Sequence, residues 1–231
     1  MGKEIVIERD GLKFNAYLST PSTAGPGVIV IHEWWGLNSP LSNIKEIADK
    51  FSEAGFVTLA PDLYHGKTAD NPDDAGKLMM DMFQNRLSEV EGIIESSVKY
   101  LKELNEVSPK KVGITGFCCG GTLSMYLAGK LSDLIDASVP FYGLPQLAPI
   151  EPSSIKIPMF LVMAEKDEFV NNDDVIDLGK SVWKNGVELL MKVYAGVNHA
   201  FLNTKRPEVY NEDCARDAFN MAVEFFRRHL S

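Results

Sequence analysis

Val112-Gly113-Ile114-Thr115-Gly116-Phe117-Cys118-Cys119-Gly120-Gly121-Thr122-Leu123 decides how the rest of the chain is read. A short apolar run enters a glycine-bracketed cysteine and passes into an apolar helical pattern from Leu123 to Leu131, which spells strand, tight turn, helix. A nucleophile held at such a turn takes a strained backbone conformation, so the positions two before and two after it need minimal side chains. Gly116 and Gly120 stand there around Cys118. The turn should lift the sulfur clear of the sheet and set it at the first free N–H groups of the helix, which favour a thiolate and an oxyanion. The backbone N–H of Cys119 is then one oxyanion donor. Taken alone, a G-x-C-x-G match also fits a helix packed closely on a strand. The strand before it, the helix after it, and an acid and a histidine in order further on decide for the nucleophile.

Working outward, Glu4 to Glu8 and Leu12 to Leu18 around Asp10-Gly11 read as an antiparallel hairpin at a sheet edge. Val28 to Ile31 is a continuous apolar run, as for a strand buried on both faces. Asn38 or Ser39 is expected to cap a helix with apolar spacing through Ile44, Ile47, Ala48 and Phe51, stopping at Gly55. Phe56 to Ala60 is the next strand, Asn71 to Asp74 a loop, and Ala75 to Phe83 and Leu87 to Leu104 are helical. Beyond the nucleophile, Ala137 to Tyr142, Met159 to Met163 and Leu189 to Tyr194 read as strands. Leu144 to Ile157 reads as loop, Val175 to Trp183 as helix, and Val209 to Leu230 as a closing amphipathic helix. Strands alternate with helices without a linker, so residues 1–231 are expected to form one α/β domain on a mostly parallel, doubly wound sheet.

The formal charge of −9, from 23 basic and 32 acidic residues, argues against nucleic acid or an anionic membrane surface as partner. No apolar run approaches membrane-spanning length, and the start lacks a secretory pattern. Three cysteines, two of them adjacent, imply neither a disulfide framework nor metal-ligand spacing. A cytoplasmic monomer or small homo-oligomer, needing no metal or cofactor, is the expectation.

In such a sheet, chemistry sits beyond the carboxyl ends of the strands, which draws attention to Glu33, Trp34, Asp62, Cys118, Tyr142, Asp167 and His199. Of four histidines, His229 lies in the last helical turn, His65 sits on a loop with nothing to orient it, and His32 ends a buried strand. His199 follows the last strand on a loop, after Cys118 and Asp167, in the order nucleophile, acid, histidine that α/β hydrolases use. Asp167 is expected to accept the imidazole N–H and hold its tautomer, with Glu165 and Glu168 as neighbouring competitors. The N–H of Trp34 is the expected second oxyanion donor.

His32-Glu33-Trp34-Trp35-Gly36-Leu37-Asn38, Gly116-Phe117-Cys118-Cys119-Gly120-Gly121, Asp167-Glu168-Phe169-Val170 and Asn198-His199-Ala200-Phe201 together resemble the dienelactone hydrolases, or carboxymethylenebutenolidases. The similarity spans essentially the whole chain and includes Arg206 to Asn211. It implies an α/β-hydrolase fold, a Cys118, His199, Asp167 triad, and Glu33 as a fourth active-site residue that holds or deprotonates the resting cysteine. A carboxylate at a strand end among tryptophans should also have a raised pKa, which suits proton exchange with a thiol. The family's best-known members clamp a substrate carboxylate with arginines, one shortly after the histidine. Here that place reads Ala200 to Thr204, with Lys205 and Arg206 only later, so an apolar aromatic pocket of Trp34, Trp35, Tyr142 and Phe201 is expected. Hydrolysis of a small-molecule ester or lactone through an acyl-cysteine is the reading. A thioesterase or peptidase with the same groups, and a non-catalytic binder of a small hydrophobic ligand, remain alternatives.

Overall fold

Asp10 and Gly11 both take positive φ, 51° and 80°, the backbone that a two-residue turn between right-twisted strands requires. They join β1 (Lys3–Arg9) to β2 (Leu12–Ser19), paired antiparallel from Lys3 opposite Leu18 to Arg9 opposite Leu12. The computed structural model describes residues 2–231. β2 in turn runs antiparallel to β4 (Val57–Pro61). All later pairings are parallel, through β3 (Gly25–Ile31), β5 (Val107–Phe117), β6 (Ala137–Phe141), β7 (Met159–Lys166) and β8 (Leu189–Asn198). The eight strands lie in the order β1-β2-β4-β3-β5-β6-β7-β8. This is the expected single-domain α/β fold, with its antiparallel hairpin at one edge.

The helices are α1 (Ile44–Glu53), α2 (Pro72–Asn85), α3 (Leu87–Glu103), α4 (Cys119–Lys130), α5 (Asn172–Lys184) and α6 (Glu212–Leu230). The middle strands β4 and β6 are buried at every residue, because helices cover both faces. Every residue of α4 from Cys119 to Ala128 is buried, so this helix is apolar all round rather than striped. Its N-terminus is therefore anchored inside the protein, directly behind the central strand.

Helix starts depart from the sequence reading. Ser39 does not cap a helix; its hydroxyl donates to the Ala69 carbonyl at 2.7 Å. α1 begins only at Ile44, and the Asn43 side chain before it reaches across to the Leu202 carbonyl, at 2.9 Å. Asn71 to Asp74, expected as loop, opens α2 instead. Asn71 accepts from the Asp74 N–H at 3.0 Å, Pro72 takes the first helical position, and Asp73 and Asp74 sit in the acidic first turn, which is sound N-terminal chemistry. α6 likewise starts at Glu212, capped by Asn211 accepting from the Cys214 N–H at 3.0 Å. Two short 3-10 turns, Pro145–Leu147 and Pro152–Ser154, interrupt the loop after β6.

Candidate active site

β5 ends at Phe117 and α4 starts at Cys119, which leaves Cys118 alone at the corner with φ 57° and ψ −119°. A non-glycine residue in that region is strained, and such strain persists only where its surroundings enforce it. The enforcement is close packing. A Cβ on Gly116 would lie 2.1 Å from the Gly120 carbonyl oxygen, and one on Gly120 would lie 2.6 Å from that of Ile31. The Cys118 N–H donates to the Phe141 carbonyl at 3.1 Å, tying the corner to the neighbouring strand.

β8 runs to Asn198 and delivers His199, whose Nδ1 is 2.8 Å from Asp167 Oδ2. The other Asp167 oxygen accepts from the Phe169 and Val170 N–H groups, both at 2.9 Å, so the carboxylate is held from two sides. Both side chains of the pair are shielded from solvent. The remaining ring nitrogen, Nε2, is buried without a hydrogen-bond partner among the described residues. Its ring lies edge-on to Tyr142, with centroids 4.9 Å apart. Of the competing carboxylates, Glu165 braces the end of β8 by accepting from the Gly196 N–H at 2.6 Å, and Glu168 is exposed.

Cys118 and His199 share one small cavity of about 40 Å³ with Trp34, Met79, Leu144, Phe169 and Arg206. That volume holds only a few waters. Phe169, 51% exposed, stands at its rim, with its ring against both His199 and Trp34.

Burial alone would lower the His199 pKa, but the charge that a Cys118 thiolate carries, and next the hydrogen bond to Asp167, raise it to about 10, so the ring's proton affinity is tied to ionisation of the sulfur. The Cys118 thiol is pushed well above its ordinary value, first by the hydrogen bond with Cys119 and then by burial, with His199 acting in the opposite sense. The neighbouring Cys119 and burial thus oppose the thiolate that the free N–H groups of the helix terminus favour.

Glu33 is 2% exposed, and burial raises its pKa. Its Oε2 accepts from Asn203 Nδ2 at 2.7 Å, and its Oε1 faces the Tyr142 hydroxyl at 3.4 Å. Among the described residues it makes no hydrogen bond to the Cys118 thiol. The N–H groups of Trp34 and Cys119 likewise have no acceptor among the described residues.

Three expected pocket residues do not line the cavity. Trp35 is buried against Ala69 and Ala75, Tyr142 lies beneath His199, and Phe201 is fully buried between Tyr142 and Tyr194. Conversely, Arg206 reaches the wall although it lies seven residues beyond His199. Two successive turns, Asn203 N–H to Ala200 carbonyl at 2.9 Å and Arg206 N–H to Asn203 carbonyl at 3.1 Å, curl the chain back. Its Nε donates to Glu208 at 2.9 Å. Spacing read linearly could not reveal this. Asn203 was also missed, since an asparagine in a loop has no sequence signal for a buried carboxylate partner. His65 pairs with Glu89 outside the cavity.

A mixed eight-stranded sheet whose central strand breaks sharply into a buried helix defines an α/β hydrolase. The chain belongs to the dienelactone hydrolase family, whose model matches residues 14–230, and is thus a hydrolase of ester or lactone bonds. It is 63% identical to the protein usf of Aquifex pyrophilus over the full length of both chains. It is 30% identical to the carboxymethylenebutenolidase homolog of Homo sapiens, covering 100% of this chain and 89% of that one. Among solved structures, a dienelactone hydrolase-like promiscuous phosphotriesterase, P91, from metagenomic libraries superposes with a TM-score of 0.86 at 18% identity, covering 100% and 99% of the two chains. Among the described residues no helix is long and apolar enough to cross a membrane.

Proposed function

We propose that the chain cleaves an ester or lactone of a small molecule through a covalent acyl-cysteine on Cys118. The observation that carries this reading is the His199–Asp167 pair, which leaves Nε2 unpartnered in the cavity that Cys118 lines. As the sulfur adds to the substrate carbonyl, the thiol proton passes to Nε2. Asp167, bonded to Nδ1, stabilises the imidazolium that forms. The carbonyl oxygen becomes an oxyanion held by the N–H groups of Trp34 and Cys119. When the carbon–oxygen bond breaks, His199 returns the proton to the leaving alkoxide. Water then attacks the thioester with His199 as base, the carbon–sulfur bond breaks, and acid and thiol are released. A positioned base supplies about 10²–10⁴-fold, and one oxyanion donor about 10²–10³-fold. Glu33, whose carboxyl burial keeps protonated to higher pH, stays outside this proton path and fixes the loop after β3 through Asn203.

Arg206 sets the substrate class. A cation in the wall of an otherwise apolar cavity favours an ester or lactone that carries its own carboxylate close to the scissile bond. The three free cysteines fit a reducing compartment, and we place the protein in the cytoplasm.

The test is hydrolysis of p-nitrophenyl acetate with intact-mass analysis. Cys118→Ala should abolish turnover while leaving the unfolding transition in place, and the wild-type protein quenched during turnover should carry one added acetyl group on Cys118 that His199→Ala forms far more slowly. Turnover that survives Cys118→Ala removes the proposal.

A further inference from the structure

We infer that His32 is the positioning residue of the oxyanion hole, aiming the N–H of Trp34 through the carbonyl of the same peptide unit. The inference rests on the proposed reading of Cys118 as nucleophile and of the Trp34 and Cys119 N–H groups as oxyanion donors.

His32 directly follows β3 and is 1% exposed. The Leu63 N–H donates to its Nε2 at 3.2 Å, so that nitrogen carries no proton. A neutral ring must then carry its hydrogen on Nδ1, which lies 2.7 Å from the Glu33 carbonyl oxygen. The two neighbours thereby select one tautomer. Gly36 donates to the same carbonyl at 3.2 Å. The peptide unit is planar and trans, so the Glu33 C=O and the Trp34 N–H point in opposite directions. Two donors gripping the carbonyl on one side therefore direct the N–H to the other.

The support behind His32 is itself fixed. Arg86 Nη1 donates to the Leu63 carbonyl at 3.1 Å, and the Asp62 N–H donates to the Asn15 carbonyl at 2.9 Å. Tyr64 packs edge-on to the imidazole at 4.8 Å. The backbone of His32 also meets the side chain of Cys119, whose Sγ lies 3.8 Å from the His32 carbonyl. Burial lowers the His32 pKa, which keeps the ring in the neutral form that both hydrogen bonds need.

Two isosteric replacements separate this role from ordinary core packing. The His32→Asn amide can still donate to the Glu33 carbonyl from the Nδ1 position but loses Leu63. His32→Gln keeps a polar atom near the Nε2 position for Leu63 but loses the Glu33 contact. On p-nitrophenyl acetate, His32→Gln should lose about 10²-fold in kcat with KM within about threefold, as for removal of an oxyanion donor. His32→Asn should recover most of that loss. The rate ratio between the ester and its thionoester, whose sulfur fits the hole poorly, should also fall in His32→Gln. Equal losses in the two variants, or an unchanged thionoester ratio, would overturn the inference. Should neither variant fold, ¹⁵N NMR of the wild-type protein still decides, because a proton on Nε2 rather than Nδ1 is incompatible with it. Loss of turnover in Cys118→Ala, measured alongside, shows that any failure belongs to His32 and not to the nucleophile.

Discussion

Asn203 donates from Nδ2 to Glu33 Oε2 at 2.7 Å, joining residues 170 positions apart. The same amide nitrogen also donates to the Leu41 carbonyl at 2.9 Å, and its oxygen accepts from the Lys205 N–H at 2.9 Å. The loop after His199 is thereby bolted to the loop after β3. Asn203→Ala leaves a buried carboxyl oxygen without its donor, a loss of about 1–3 kcal/mol. The urea midpoint should fall accordingly, and by less when Glu33→Gln is already present. Equal effects in both backgrounds would show that the two residues do not act together.

Glu33 also makes stability depend on pH with a defined sign. Burial raises its folded pKa above the ordinary 4.5, so the folded state binds the proton more tightly than the unfolded chain. Stability from this group is present at acid pH and is lost as pH rises from 4.5 through the folded pKa. Glu33→Gln has no such charge to bury. Its melting temperature should therefore gain on that of the wild type as pH rises above 4.5, and a gap that stays constant with pH would refute the assignment.

Cys118 should be a slow thiol at rest. With its pKa pushed up by Cys119 and by burial, its thiolate is scarce near neutrality. Iodoacetamide should modify it more slowly at pH 7 than a small free thiol. The rate should climb about tenfold per pH unit, in step with the thiolate fraction. Peptide mapping distinguishes it from Cys119 and Cys214. Fast, pH-independent labelling at pH 6 to 7 would contradict the shift.

Arg206→Met tests the substrate class without touching the acid–base groups. If the guanidinium pairs with a substrate carboxylate, a charge-assisted bond worth about 1.5–3 kcal/mol is lost. kcat/KM for a half-ester of a dicarboxylic acid should drop about 10- to 100-fold by that measure. A neutral ester of similar size should change little. A parallel drop for both esters would assign Arg206 to packing against Trp35, over whose ring it lies at 5.8 Å.

What the sequence determined was local in kind. Alternation with period 2 and period 3.6, the Asp10-Gly11 turn and the Gly116, Gly120 bracket are each decided within a few residues, so the hairpin, the parallel sheet and the strained corner at Cys118 were legible. The chain order of Cys118, Asp167 and His199 was legible too, because the strand ends of such a sheet share one edge. Only the tertiary structure decided which side chains meet there. The two turns after Ala200 brought Asn203 to Glu33 and Arg206 to the cavity. Packing from all sides hid Trp35, Tyr142 and Phe201, and it set Cys119 against Cys118, where it raises the pKa of that thiol. Hydrogen bonds and burial between residues more than a hundred positions apart depend on how loops close in space, and no local period encodes that.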